Sequence, residues 1–131
     1  MPIAVASFVL DSFEEESPYL EDPGVGYARL HIAKTFRGDI EAQSTVEMLS
    51  VRAENGGAGY VAVERIAGTV HGRSGSFAVL HIGTMTGGSQ WARWPLVAGS
   101  GTGELARIGG EGRIEISREG AHEFHLDYEL S

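Results

Sequence analysis

Apolar and polar residues alternate with a period of two along most of this chain, and 19 glycines cut the alternation into short runs. The runs are rich in Val, Ile, Thr, Phe and Tyr, the composition of strands joined by tight turns. They predict eight strands, at about 4–14, 27–37, 40–52, 59–70, 74–86, 89–98, 111–117 and 121–130. Between the first two, the stretch from Glu15 to Gly26 carries Pro18, Pro23 and Gly24 among acidic residues and is expected to be a loop, long enough to reach over a barrel mouth. The one helical signal is a single turn over Gly103–Gly109, with Thr102 placed to cap it and Gly109-Gly110 to end it. One turn cannot cover a sheet. An eight-stranded sheet without helices must bury its apolar face against itself, and closure also removes the exposed edges. The expected fold is therefore all-β, an eight-stranded antiparallel up-and-down barrel forming one domain over residues 1–131.

The turns suggest which side chains share a face. With His71-Gly72 as a two-residue hairpin turn, Val70 opposes Arg73, Ile66 opposes Phe77, Glu64 opposes Val79 and Ala62 opposes His81. Glu64 and His81 are then diagonal neighbours on one face, about 7–8 Å apart at Cα, within reach of a side-chain contact. With Asn55-Gly56 as the preceding turn, Glu47 opposes Glu64, and one face gathers Gln43, Glu47, Tyr60, Glu64, Phe77 and His81. The other face, with Val46, Met48, Val61, Val63, Leu80 and Ile82, is also largely apolar. Alternation alone leaves open which face is the lumen, and a one-residue error in a turn exchanges the two sets. A doubly apolar wall implies that something covers its outer side, and a homo-oligomer is the expected cover.

Composition narrows the function classes. Ten Lys+Arg against 18 Asp+Glu give a net charge of −8, the wrong sign for a phosphate backbone, so nucleic acid is not an expected partner. Without cysteine there is no disulfide, thiolate metal site or cysteine nucleophile. The N-terminal apolar run lacks a basic flank and is broken by Asp11, and no later run approaches the roughly 20 apolar residues of a membrane helix, so a cytoplasmic address and no membrane partner are expected. His122 and His125 fall on opposite faces of a strand, and His31, His71 and His81 lie on separate elements, so no metal site and no cofactor are expected. Gly99-Ser-Gly-Thr-Gly lacks the Lys-Ser/Thr ending of a phosphate loop, and its glycines read as a turn at the barrel rim.

Several stretches together carry a resemblance. They are Lys34-Thr-Phe-Arg-Gly-Asp-Ile-Glu-Ala-Gln-Ser-Thr-Val-Glu-Met-Leu49, Gly59-Tyr-Val-Ala-Val-Glu-Arg65, Gly72-Arg-Ser-Gly-Ser-Phe77 with His81, and Gly99-Ser-Gly-Thr-Gly-Glu-Leu-Ala106 leading to Gly110-Glu-Gly112. In combination with Phe8-Val-Leu-Asp-Ser-Phe13 and Phe124-His-Leu-Asp-Tyr-Glu-Leu130 at the ends, the chain resembles the DUF3224 family of small bacterial proteins. The resemblance implies an eight-stranded antiparallel barrel similar to that of allene oxide cyclase, with a lipocalin-like shape. It carries no activity over, and no residue-by-residue match to the cyclase motif is present.

The candidate chemistry follows from the faces. Two carboxylates, Glu47 and Glu64, opposed in an apolar lumen cannot both ionise freely, and His81 beside them would exchange a proton, an arrangement suited to acid–base isomerisation or cyclisation of an apolar molecule. Gln43, Tyr60, Phe77 and Trp94 are the candidate ligand contacts. The expected function is binding of a small, mostly apolar ligand in the barrel interior. The alternatives are the isomerase and a non-catalytic oligomeric module with a filled barrel.

Overall fold

The computed structural model describes residues 2–130 and resolves nine strands: β1 (Ile3–Glu15), β2 (Leu20–Asp22), β3 (Val25–Gly38), β4 (Ile40–Ala53), β5 (Ala58–Val70), β6 (Arg73–Thr86), β7 (Ser89–Pro95), β8 (Ile108–Ile116) and β9 (His122–Leu130). All neighbouring pairs are antiparallel, in the order β1-β9-β8-β7-β6-β5-β4-β3, and β1 pairs with β3 to close the ring. The result is the expected eight-stranded barrel, with β2 as an addition. No helix among the described residues is long and apolar enough to cross a membrane.

The acidic stretch after β1 differs from the expected loop. Glu15 opposes Leu30, the Glu16 amide donates to the Arg29 carbonyl at 2.9 Å, and the ladder resumes with Leu20 opposite Tyr27. Pro18, which has no N–H to offer, sits in the interruption. The segment thus continues the β1 edge along β3 as a ribbon, with Tyr19 against Tyr27 at 6.0 Å between ring centroids, instead of lying across the mouth.

Two hairpins decide which side chains point inward. At the β5–β6 turn His71 and Gly72 have φ of +48° and +80°, the paired left-handed residues of a type I′ turn, and the register is the one expected, with Glu64 opposite Val79 and Ala62 opposite His81. At the β4–β5 connection the Ala53 amide donates to the Gly57 carbonyl at 2.7 Å, and Gly56 takes φ +103°. The loop therefore has three residues, Glu54-Asn55-Gly56, and not the two of an Asn-Gly turn. Opposed positions move by one, so Glu64 faces Val46 and Glu47 faces Val63. Because side chains alternate, the whole of β4 turns over. Ser44 and Val46 point inward and are buried, whereas Gln43 and Glu47 lie on the outer surface, a correction to the face assigned from the sequence.

The barrel interior is filled at one end. Phe36, Ile40, Ile66, Val70, Phe77, Val79, Phe124, Leu126 and Tyr128 pack there as one cluster. Each such side chain contributes about 1.5–3 kcal/mol on burial. The β7–β8 loop closes that end by inserting Leu105 from a 3-10 turn, Gly103–Leu105. Thr102 does not cap this turn with its side chain. Its Oγ1 instead accepts the Ser76 amide at 3.0 Å, while Ser100 Oγ accepts the Ala78 amide at 3.0 Å. The glycine-rich stretch is thus a lid on the closed end, its hydroxyls committed to β6. Gly75 lets it approach, since a Cβ there would stand 2.0 Å from the Thr102 carbonyl oxygen.

Candidate ligand site

Above the plug lies a polar layer. Glu64, only 1% exposed, is held in mid-barrel by β5 between Ala62 and Ile66, and its carboxylate gathers three donors. His81 Nε2 is 2.6 Å from Oε1, Lys34 Nζ donates to Oε1 at 3.3 Å, and Ser44 Oγ donates to Oε2 at 2.5 Å. Lys34 is 7% exposed and His81 4%. The Lys34 ammonium stands over the Phe8 ring, with Nζ 4.7 Å from its centroid. Burial pushes the Glu64 carboxyl up, but the hydrogen bond from His81, the Lys34 ammonium and the Ser44 hydroxyl outweigh it and hold the group below its ordinary value. Glu64 is therefore a carboxylate at neutral pH. That replaces the proton-sharing pair expected from Glu47 and Glu64.

The sequence reading brought Glu64 and His81 together, as the structure does, and missed Lys34 and Ser44. Lys34 had a usable signal, because its alternation partners Ile32 and Phe36 are both apolar and both buried. Ser44 was hidden by the slipped β4 register. Glu47 instead belongs to an outer cluster. His31 Nδ1 lies 2.6 Å from Glu47 Oε2, and its Nε2 meets Glu16, so this imidazole clips the end of β1 onto β3 and β4. The hydrogen bonds to Glu47 and Glu16 raise the His31 pKa, and the bond to His31 lowers that of Glu16.

The opposite end of the barrel is open. A cavity of about 550 Å³ is lined by inward residues that include Leu30, Met48, Tyr60, Gly83, Gln90 and Ala92. Gly83 makes room for Tyr60, whose Cε1 would lie 2.5 Å from a Cβ at that position, and burial raises the Tyr60 phenol. Of the four ligand contacts expected from the sequence, Tyr60 lines this cavity. Trp94 lies one inward position below Ala92 on β7, with its ring edge-on to His81 at 6.2 Å. Phe77 is in the plug and Gln43 on the outer surface, so neither faces the cavity.

The wall beside Trp94 is incomplete. Strands β7 and β8 pair at Trp94–Gly112 and Pro95–Glu111, and among the described residues the stretch from Ser89 to Arg93 has β6 as its sole ladder partner. Pro95, unable to donate, stands where that pairing stops. On the outer side Arg93 and Glu111 bridge the seam at 2.6 Å. Among the described residues no group of three or more His, Asp and Glu side chains is arranged to hold a metal ion.

With this geometry in view, the sequence profile of the family described as "Protein of unknown function (DUF3224)" matches residues 4–128. The chain belongs to the DUF3224 family. A solved DUF3224 structure, that of a protein of unknown function from Shewanella oneidensis MR-1, is 35% identical to it, with all of this chain and 98% of that one covered at a TM-score of 0.92. The barrel is thus shared by two DUF3224 chains of divergent sequence. No curated protein matches the chain.

Proposed function

We propose that this DUF3224 barrel binds a small, mostly apolar molecule in its open end, above the Glu64–His81–Lys34 layer. The observation that carries the reading is the pairing of a mostly apolar cavity of about 550 Å³ with a few polar groups in its lining, Arg52, Tyr60 and Gln90, the usual make-up of a small-molecule site. The plugged end supports it, because a rigid base leaves the mouth as the place for a guest. Binding is favoured over acid–base isomerisation, since a carboxylate held below its ordinary pKa by three donors is a weak base. The test is titration with the neutral dye Nile red, alone and with Ala92→Trp, which fills the mouth. Saturable fluorescence that this variant abolishes supports the reading. Dye binding that the variant leaves intact, or no binding, contradicts it.

A second reading concerns the outer wall, where Leu49, Val51, Val61 and Val63 are exposed side by side on β4 and β5. A shallow groove of about 510 Å³ runs over this face, with Arg29 and Glu47 among its lining residues. A two-fold pairing of copies would bury the apolar stripe and set an arginine of one copy against a glutamate of the other, so the favoured occupant is a second copy of the chain. Light scattering of the wild type and of Val61→Lys with Val63→Lys tests it. A wild-type oligomer that the variant splits is expected, and a wild-type monomer at micromolar concentration contradicts it.

A further inference from the structure

We infer that the molecule bound in this mouth is an acidic amphiphile, its hydrocarbon body in the cavity and a singly charged carboxylate held at the rim by Arg52. The inference rests on the ligand-binding reading and adds to it the charge and the place of the bound molecule's polar end. The ladder sorts the lining of the cavity into levels. Across β4 to β7, Arg52 opposes Ala58, Ala58 opposes Met85 and Met85 opposes Gln90, and these four form the outermost level. Two residues deeper on β5 and β6, Tyr60 opposes Gly83, and deeper still Leu30 opposes Met48. The cavity is therefore mostly apolar in its depth and carries its one lining cation at the rim.

That cation is placed to receive a partner. Arg52 alternates with Ser50 and Met48, which also line the cavity, so it shares their inward face. Its ladder neighbours are Gly26 on β3 and Ala58 on β5, too small to cover a guanidinium and without a group to pair with it. Among the described residues Arg52 has no ion pair and no side-chain hydrogen bond. The acids around the mouth leave it free. Glu21 on β2 opposes Gly26 but forms no ion pair with Arg52 and does not line the cavity. Glu15 does line it, from β1, opposite Leu30. Leu30 is four residues along β3 from Gly26, about 13 Å at the rise of a strand, beyond the screening length of about 8 Å at physiological ionic strength.

The rim discriminates among head groups. Arginine keeps its charge throughout the physiological range, so the selection holds at any working pH. Its parallel N–H donors match the two oxygens of a carboxylate as a pair. A hydroxyl accepts one of those bonds and leaves the charge unmatched, and an ammonium head is repelled. A phosphate monoester brings close to two negative charges to a rim with one cation, on a chain whose net charge is already −8. Leu30 and Met48 below suit a hydrocarbon body.

The experiment displaces Nile red with decanoate, 1-decanol and decylamine at neutral pH, three compounds with one tail and three heads, from the wild type and from Arg52→Gln. The variant removes the charge at an exposed position and leaves the ladder bonds of the main chain in place. It is expected to raise the decanoate concentration for half-displacement about fivefold to tenfold, the effect of losing one paired charge at a half-open site, and to move 1-decanol by less than about twofold. On the wild type, decylamine is expected to compete least well. If Nile red binds the mouth but Arg52→Gln weakens decanoate and 1-decanol alike, or leaves decanoate unchanged, or if decylamine outcompetes decanoate on the wild type, the carboxylate inference is wrong and the ligand reading stands. If Nile red does not bind there, both fall. Should Arg52→Gln fail to fold, the order of decanoate and decylamine on the wild type decides alone.

Discussion

Glu64 and His81, on neighbouring strands and one diagonal apart in the ladder, share a 2.6 Å hydrogen bond inside a barrel where neither has more than a trace of exposure. The bond fixes the imidazole against the wall, and Lys34 supplies the charge that keeps the carboxylate ionised.

Removing one partner strands the other. Glu64→Gln keeps the side-chain shape but leaves the Lys34 ammonium buried without a counter-charge, and breaking such a pair costs about 3–5 kcal/mol. Replacing both groups, Glu64→Gln with Lys34→Met, is expected to recover at least half of that loss, because no lone charge remains. Urea unfolding of the two variants checks this. A single variant within about 1 kcal/mol of wild type would mean the charges are not compensating one another.

The two ends of the pH range are governed by different groups. Glu64 has a folded pKa below its ordinary 4.5, so its contribution is complete above that value and is lost as pH falls through the folded pKa. His31 is raised above 6.5, so its contribution is complete below that pH and is lost as pH climbs through the folded pKa. Glu16, lowered by the same contact, follows the acid-side pattern of Glu64. Stability against pH should therefore flatten on the alkaline side in His31→Ala and on the acid side in Glu64→Gln. Unchanged curves would contradict the assignments.

The β5–β6 turn is tied to the plug. The hydroxyl of Tyr128, a deeply buried residue, shares a 2.6 Å hydrogen bond with His71 Nδ1, while His71 holds φ +48°. His71→Gly keeps the turn and loses the hydrogen bond, at a cost of about 1–3 kcal/mol for the unmet hydroxyl. His71→Val adds the penalty of a β-branched residue in the left-handed region and should be worse by about 1–2 kcal/mol. Thermal melts rank the two. Equal melting temperatures would show that backbone strain at this turn is negligible.

How far the sequence led can be seen in these same residues. His71-Gly72 between two well-alternating runs admits one register, so the meeting of Glu64 and His81 was legible. After Asn55, two consecutive glycines make a two- or a three-residue loop equally feasible, and the choice between them turns β4 over. That single residue exchanged Glu47 and Gln43 for Val46 and Ser44 in the interior. Lys34 escaped because lysine is taken as a solvent residue by type, although Ile32 and Phe36 flank it on the inward face. The ribbon at Leu20–Asp22 escaped because Pro18 and Pro23 mark turns more strongly than three residues mark a strand. The barrel itself survived these errors, since it depends on the number of runs and the spacing of their turns and not on any one register.

Methyl-resolved NMR of the protein titrated with 1-decanol tests the binding mouth most directly. The Leu30 and Met48 methyls should shift together and saturate with one affinity, while the outer Leu49, Val61 and Val63 methyls stay in place. Shifts confined to those outer methyls, or none at all, would contradict a ligand site inside this barrel.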